Sequence, residues 1–282
     1  MVQEAIADPT YVLGCTDAEA ERLILQSRIF DRITRRFLAD AGIGAGMTVL
    51  DIGSGSGDVA FAAADLVGPT GHVTGIDLNS AIIEKAQSRA RAEGRDNLTF
   101  VAGDCRTALH DECFDAAVGR FVLMYTGDVT ATLQAVAERV KPGGVVAFAE
   151  ADFNTALDYE QAGSDGLNRT AWEWVNRAFA CGGVPTTMAG LLYRAYIAAG
   201  LRAPVMALQA PLCGAEEQIG FEWFATSLRS MSPMLEQYGI VSAETLDLET
   251  FVPRSRASVA DSGLPLILLP VVTAWTRKPT SD

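Results

Sequence analysis

Val49-Leu50-Asp51-Ile52-Gly53-Ser54-Gly55-Ser56-Gly57-Asp58 is the stretch on which the reading of the fold turns. An apolar run ends in an acid, and three glycines then alternate into a helical segment over residues 58–67. Glycine allows a sharp turn and lets a ligand approach the backbone with no Cβ in the way. The helix that follows presents unpaired amides and the positive end of its dipole. A glycine loop alone is common to many folds, so its neighbours must narrow it.

Working outward, short apolar runs alternate with helical segments. Residues 47–52, 72–76, 98–102, 116–119 and 145–149 read as strands, and 58–67, 80–93 and 130–140 as helices. Gly68 and Gly94 stand where helices should stop, and Pro142-Gly143-Gly144 makes a turn before the fifth strand. Such alternation implies βαβ crossovers and an α/β, Rossmann-like, doubly wound sheet, parallel over these five strands and seven-stranded with those that follow. Upstream, Thr16-Asp17-Ala18-Glu19 is a capping box that opens an amphipathic helix with Leu23, Phe30, Ile33 and Phe37 on one stripe. Gln26 shares that stripe, either as a buried amide satisfied by backbone or as a donor facing a pocket.

After Glu150 the alternation fails. Residues 154–190 and 215–250 read as helical, carrying Trp172, Trp174, Phe179, Phe221, Trp223 and Phe224. A helix over 191–199, a strand over 205–210 and a last strand over 271–276 complete the pattern. The expected organisation is an N-terminal helical segment (1–44) that closes over a ligand, a core (45–153), and a helical cover with the last strands (154–282).

Composition bounds the partners. The 282 residues carry 22 Lys+Arg against 35 Asp+Glu, a formal charge of −13, which argues against nucleic acid or an anionic membrane as a main partner. Apolar residues are 49% and charged residues 20%, a folded composition. Five scattered cysteines and two histidines offer no zinc spacing, and no metal is expected. Met1-Val2-Gln3-Glu4 opens no signal peptide, and Pro265 and Pro270 interrupt the longest apolar run. A soluble cytoplasmic protein, monomer or homodimer, is the expectation.

Three acids, Asp51, Asp77 and Asp104, end successive strands beside the glycine loop, and an acid at the second strand tip is placed to bind ribose hydroxyls. A nicotinamide fingerprint would need a small residue at position 58, where Asp58 stands.

With those residues in view, the chain resembles the class I S-adenosylmethionine-dependent methyltransferases. Asp51-x-Gly53-x-Gly55-x-Gly57 matches the family's first motif, Gly75-Ile76-Asp77-Leu78 the second, Gly103-Asp104-Cys105 the third, and Lys141-Pro142-Gly143-Gly144 the turn before strand five. The run from Tyr11-Val12-Leu13-Gly14 through Arg22-Leu23 and Gln26 resembles the ubiquinone-biosynthesis-like branch, which acts on small molecules. The resemblance implies that Asp51, Gly57 and the backbone of Gly53, Ser54 and Gly55 form the site for the methionyl and ribose portions. It further implies Asp77 on the ribose hydroxyls, Leu78 on the adenine face, and Asp104 with the Cys105 amide on the adenine edge. Arg120 would contact the methionine end, and Tyr11 would close over the cofactor, with Gln26 lining the pocket. Arg120 could instead pair with Asp128 or Asp152.

The implied reaction moves a methyl group from S-adenosylmethionine to a small organic molecule and leaves S-adenosylhomocysteine. The alternative is a protein that uses the cofactor structurally or for another reaction. Arg120-Phe121-Val122-Leu123 does not match the N/D-P-P-Y pattern of enzymes that methylate flipped bases. His72 and His110 are expected away from the strand tips. Glu150 and Asp152 are the candidate proton acceptors, unless positioning of the acceptor suffices.

Overall fold

The computed structural model describes residues 17–108, 113–161 and 166–280. Helix α1 (Asp17–Asp40) precedes β1 (Thr48–Ile52), α2 (Asp58–Val67), β2 (His72–Asp77), α3 (Ser80–Ala92) and β3 (Leu98–Ala102). Then come β4 (Phe114–Arg120), α4 (Val129–Glu138) and β5 (Val140–Ala151), with a single 3₁₀ turn at Leu123–Tyr125. These strands pair in parallel in the order β3-β2-β1-β4-β5.

Local chemistry explains the boundaries. Asn79 caps α3 by accepting from the amides of Ala81 and Ile82, and Asp128 caps α4 by accepting from Ala131. Gly57 enters α2 with φ 93°, a left-handed conformation that glycine adopts without strain. Val145 through Ala151 are buried without interruption, as in a strand covered on both faces. Helix α2 lies against the sheet with Ala60, Ala62, Ala63 and Ala64 buried, small side chains that let its backbone approach closely.

Beyond β5 the chain forms α5 (Phe153–Gln161), α6 (Leu167–Cys181), α7 (Ala189–Ala198) and β6 (Val205–Gln209). It continues through β7 (Leu212–Cys213), α8 (Ile219–Gln237), α9 (Ala243–Leu246), α10 (Leu248–Ser262), β8 (Leu266–Ile267) and β9 (Val271–Arg277). β9 lies between β5 and β6 and runs antiparallel to both, completing seven strands. The five strands before it are parallel, as expected, and the sequence assigns no direction to this one. Gln209 ends β6 opposite Val271, which starts β9, so the chain leaves and re-enters at one sheet end like a very long hairpin.

Three further differences are local. The helical segment expected over 215–250 is three helices, of which α10 runs on to Ser262 and stops at Gly263, with φ 69°. The segment expected over 154–190 is α5, α6 and an irregular run before α7. The two-residue pairing of β7 with β8 carried no sequence signal, being too short for periodicity. Pro233 sits inside α8, where it removes one backbone donor; the Ser232 hydroxyl donates to the Arg229 carbonyl that this leaves open, at 2.9 Å.

The described residues divide into two compact units. One, drawn from 30–151, 188–209 and 271–280, holds the seven-stranded sheet; the other, drawn from 17–29, 152–187 and 210–270, is mostly helical. Within the helical unit Trp172 stacks on Phe224 at 4.8 Å, Phe251 meets Phe224 edge-on at 5.7 Å, and Trp172 donates to the Ile267 carbonyl. These aromatics form that unit's core. Among the described residues, no helix is long and apolar enough to cross a membrane.

Candidate active site

The parallel strands deliver their last residues to one end of the sheet: Asp51 lies near the end of β1, Asp77 ends β2 and Arg120 ends β4. Gly53, Gly55 and Gly57 follow β1 with φ values of 64°, 51° and 93°. Their reasons for being glycine differ. A Cβ on Gly53 would lie 2.5 Å from Val122 Cγ2, and one on Gly57 2.8 Å from Phe100 Cζ. A Cβ on Gly55 would meet nothing closer than Ile82 Cδ1 at 3.9 Å. Space is therefore open above Gly55 alone, and that space can take a ligand.

Asp77 organises this loop. Its Oδ2 accepts from the Gly55 amide at 3.0 Å, and its Oδ1 from the Asn79 amide at 2.9 Å. Each oxygen keeps a further lone pair for a hydroxyl. Beside it Leu78 is 64% exposed, an apolar surface open to a flat ring. Asp104 lies just past β3 and binds Arg106 through that residue's amide, at 2.8 Å, and its guanidinium. The guanidinium holds the Asp104 carboxyl below its ordinary range, while burial pushes the Cys105 thiol up to about 11. Arg106 had no place in the expected site.

Asp51 is fully buried, and among the described residues neither of its oxygens, nor the Ser54 hydroxyl, makes a hydrogen bond of ordinary geometry. Desolvation drives its carboxyl well above the ordinary range, opposed by the Arg120 charge. Burial makes the anion costly here, and the Arg120 charge and the Ala60 amide offset that cost only in part. An ammonium group would satisfy it, and S-adenosylmethionine carries one at the end of its methionyl chain. Together with the open space at Gly55, this makes the residues present a fit for that cofactor.

Arg120 is part-buried, with its side chain 7% exposed; it donates to Thr34 Oγ1 at 2.6 Å and approaches Asp58 Oδ2 at 3.9 Å. Asp58, on the first turn of α2, also takes Arg89 at 2.8 Å. The alternative pairing of Arg120 with Asp128 is corrected, because Asp128 instead caps α4. The sequence named neither Thr34 nor Asp58 as its partner. The next residue, Phe121, has φ 57°, a left-handed conformation rare for an aromatic residue, and its ring meets Phe30 edge-on at 5.7 Å.

Glu150 is fully buried near the end of β5, where its carboxylate accepts from backbone amides of residues 122–124. Asp152 Oδ1 accepts from the amide and hydroxyl of Thr155 at the start of α5. Gln26 is buried on α1 and accepts from Arg22, so a side chain, not backbone, holds its amide oxygen. His72 opens β2, at the opposite end of that strand from Asp77, and bonds Thr99 at 2.9 Å. Tyr11, His110 and the capping box at Thr16 lie outside the described residues.

Comparison with known proteins now bears on these features. Residues 43–181 match the family model of a methyltransferase domain. The chain is 30% identical over 118 residues to a demethylmenaquinone methyltransferase of Lactococcus lactis, covering 42% of this chain and 47% of that one. It thus spans about half the length of the curated relatives it matches. Among solved structures, the [4+2]-cyclase SpnF aligns with a TM-score of 0.54 at 20% identity, covering 89% of this chain and 81% of that chain. Phosphoethanolamine N-methyltransferase 2 of Haemonchus contortus, in complex with S-adenosyl-L-methionine, aligns with a TM-score of 0.53 at 16% identity, covering 88% and 53%. At these identities the two structures speak for the fold.

Proposed function

We propose, from the match of residues 43–181 to a methyltransferase domain and the likeness to demethylmenaquinone methyltransferases, that the chain is a class I S-adenosylmethionine-dependent methyltransferase that transfers a methyl group to a small organic acceptor by in-line displacement. The observation that carries this reading is the buried Asp51 carboxyl, whose oxygens make no hydrogen bond of ordinary geometry among the described residues, next to a loop with open space at Gly55.

In this reading Asp51 receives the methionyl ammonium, and Gly53, Ser54, Gly55 and Gly57 form the cradle. Asp77 takes the ribose hydroxyls, Leu78 covers the adenine face, and Asp104 with the Cys105 amide reads the adenine edge. Arg120 acts on the methionine end, and Tyr11 and Gln26 belong to the segment, residues 1–44, that closes the site. Residues 154–282, apart from the last strands, select the acceptor. When bound, the cofactor supplies a methyl group already activated by its sulfonium. The chain's own task is to hold the acceptor about 3 Å from that carbon and to keep water away. Positioning dominates: Glu150 and Asp152, the expected proton acceptors, are both buried and both accept from backbone amides. The curated relatives make an apolar ring of the demethylmenaquinone kind the first acceptor class to try. The free thiols of Cys105, Cys113, Cys181 and Cys213 suit a reducing cytoplasm.

A [4+2]-cyclase shares this fold, so the fold does not select the reaction. The test is incubation with methyl-labelled S-adenosylmethionine and a panel of small acceptors that includes demethylmenaquinone analogues. Labelled product and S-adenosylhomocysteine in equal amounts are expected. Tight cofactor binding with no product across a broad panel would favour the non-methylating alternative.

A further inference from the structure

Three consecutive backbone amides in the turn after β4 point at one carboxylate. Val122 donates to Glu150 Oε1 at 3.2 Å, Leu123 to the same oxygen at 2.9 Å, and Met124 to Oε2 at 3.4 Å. The same turn is fastened to β5 by the Phe121 amide, which donates to the Ala149 carbonyl at 2.8 Å. It holds Phe121 in its left-handed conformation and sets Val122 directly against Gly53, where even a methyl group would collide at 2.5 Å. A carboxylate on β5, the turn after β4 and the first glycine after β1 are thus packed in series.

We infer that Glu150 is a positioning residue, whose carboxylate fixes the turn at 122–124 and, through Val122, sets the place of Gly53 and the glycine loop. The consequence for cofactor affinity rests on the function proposed above; the mechanical link does not. A proton acceptor must reach its substrate, and Glu150 is fully buried with both oxygens turned to amides. Ionised, it accepts from all three donors; protonated, one oxygen carries a hydrogen and loses part of its capacity to accept. Burial pushes its pKa up to about 7 against the pull of those amides. Tyr196 of α7 faces it with a phenol held far above its ordinary range, and Asp51 is the other buried carboxylate beside the loop.

The test is a pH titration, from 5.5 to 8.5, of the amide resonances of the ligand-free full chain. In the unaltered protein the amides of Leu123 and Met124 and those of Gly53 and Ser54 should shift together. Asp51 also reaches the loop, so comparison with Glu150→Gln carries the result: the shared transition should vanish there. In Val122→Ala the turn should still titrate while Gly53 and Ser54 lose that transition, and this variant decides the matter should Glu150→Gln not fold. A loop that does not respond in the unaltered protein, or a shared transition that survives in either variant, overturns the inference. A parallel titration with S-adenosylhomocysteine should show about tenfold weaker binding in Glu150→Gln, the loss expected from one charge-assisted contact. If the unaltered protein fails to bind S-adenosylhomocysteine, the proposed function falls, and the resonance shifts alone still decide the role of Glu150.

Discussion

Asp51 joins two properties that oppose each other in a ligand-free protein: it is an acid by chemistry and fully buried by position. Its folded carboxyl lies above the unfolded value of 3.8, so its contribution to stability is fullest below that value and declines as pH rises toward the folded pKa. Asp51→Asn cannot ionise. Calorimetric melting should therefore show it gaining on the parent protein from pH 4 to pH 8, while its affinity for S-adenosylhomocysteine falls. Equal melting profiles would mean that Asp51 is solvated or paired. Asp77→Ala should weaken cofactor binding by about 1.5–3 kcal/mol, the worth of a hydrogen bond to a charged group. Part of that loss arises because Asp77 also holds the Gly55 amide. Gly55→Val should be worse, since its φ of 51° disfavours a branched residue and its side chain would enter the open space. Asp51 and Asp77 were legible in the sequence because a strand ending in an acid is a one-dimensional pattern. The partners of Arg120 were not. Thr34 lies on α1, far away in sequence, and only the packed fold brings its hydroxyl within 2.6 Å.

At the scale of elements, the contact between the turn after β4 and the loop after β1 is a tightly packed joint, where a Cβ on Gly53 would lie 2.5 Å from Val122 Cγ2. Gly53→Ala should destabilise the protein by about 1–3 kcal/mol, the usual cost of overpacking, because its methyl would overlap Val122. Adding Val122→Ala should recover much of this, a coupling that a double-mutant cycle in denaturant would read directly. Additive losses would show that strain at the φ of 64°, not the collision, sets the cost. The first five strands were readable because each is a short apolar run bounded by turn residues, and β3 and α2 fall where expected. The reversal of β9 was not readable. Strand direction depends on where the chain re-enters the sheet, and residues 271–276 look alike in either sense. The left-handed Phe121 has no signal either, because nothing in an aromatic side chain announces a conformation that its neighbours impose.

At the scale of the whole molecule, the sheet order β3-β2-β1-β4-β5-β9-β6 brings the glycine loop, Asp77 and Arg120 to one edge from three separate strands. That convergence follows from right-handed crossovers between parallel strands. Less of the helical unit was legible. The sequence marked its aromatics without saying which pack as core, and Trp172, Phe224 and Phe251 pack together there. The central claim is that the Asp51–Gly55–Asp77 edge holds S-adenosylmethionine. Titration calorimetry with S-adenosylhomocysteine tests it most directly, using the unaltered chain beside folded Asp77→Ala and Gly55→Val. The account predicts saturable one-to-one binding that falls at least about tenfold in each variant, the equivalent of 1.4 kcal/mol. No heat of binding in the unaltered chain, or equal affinity in all three, would contradict it.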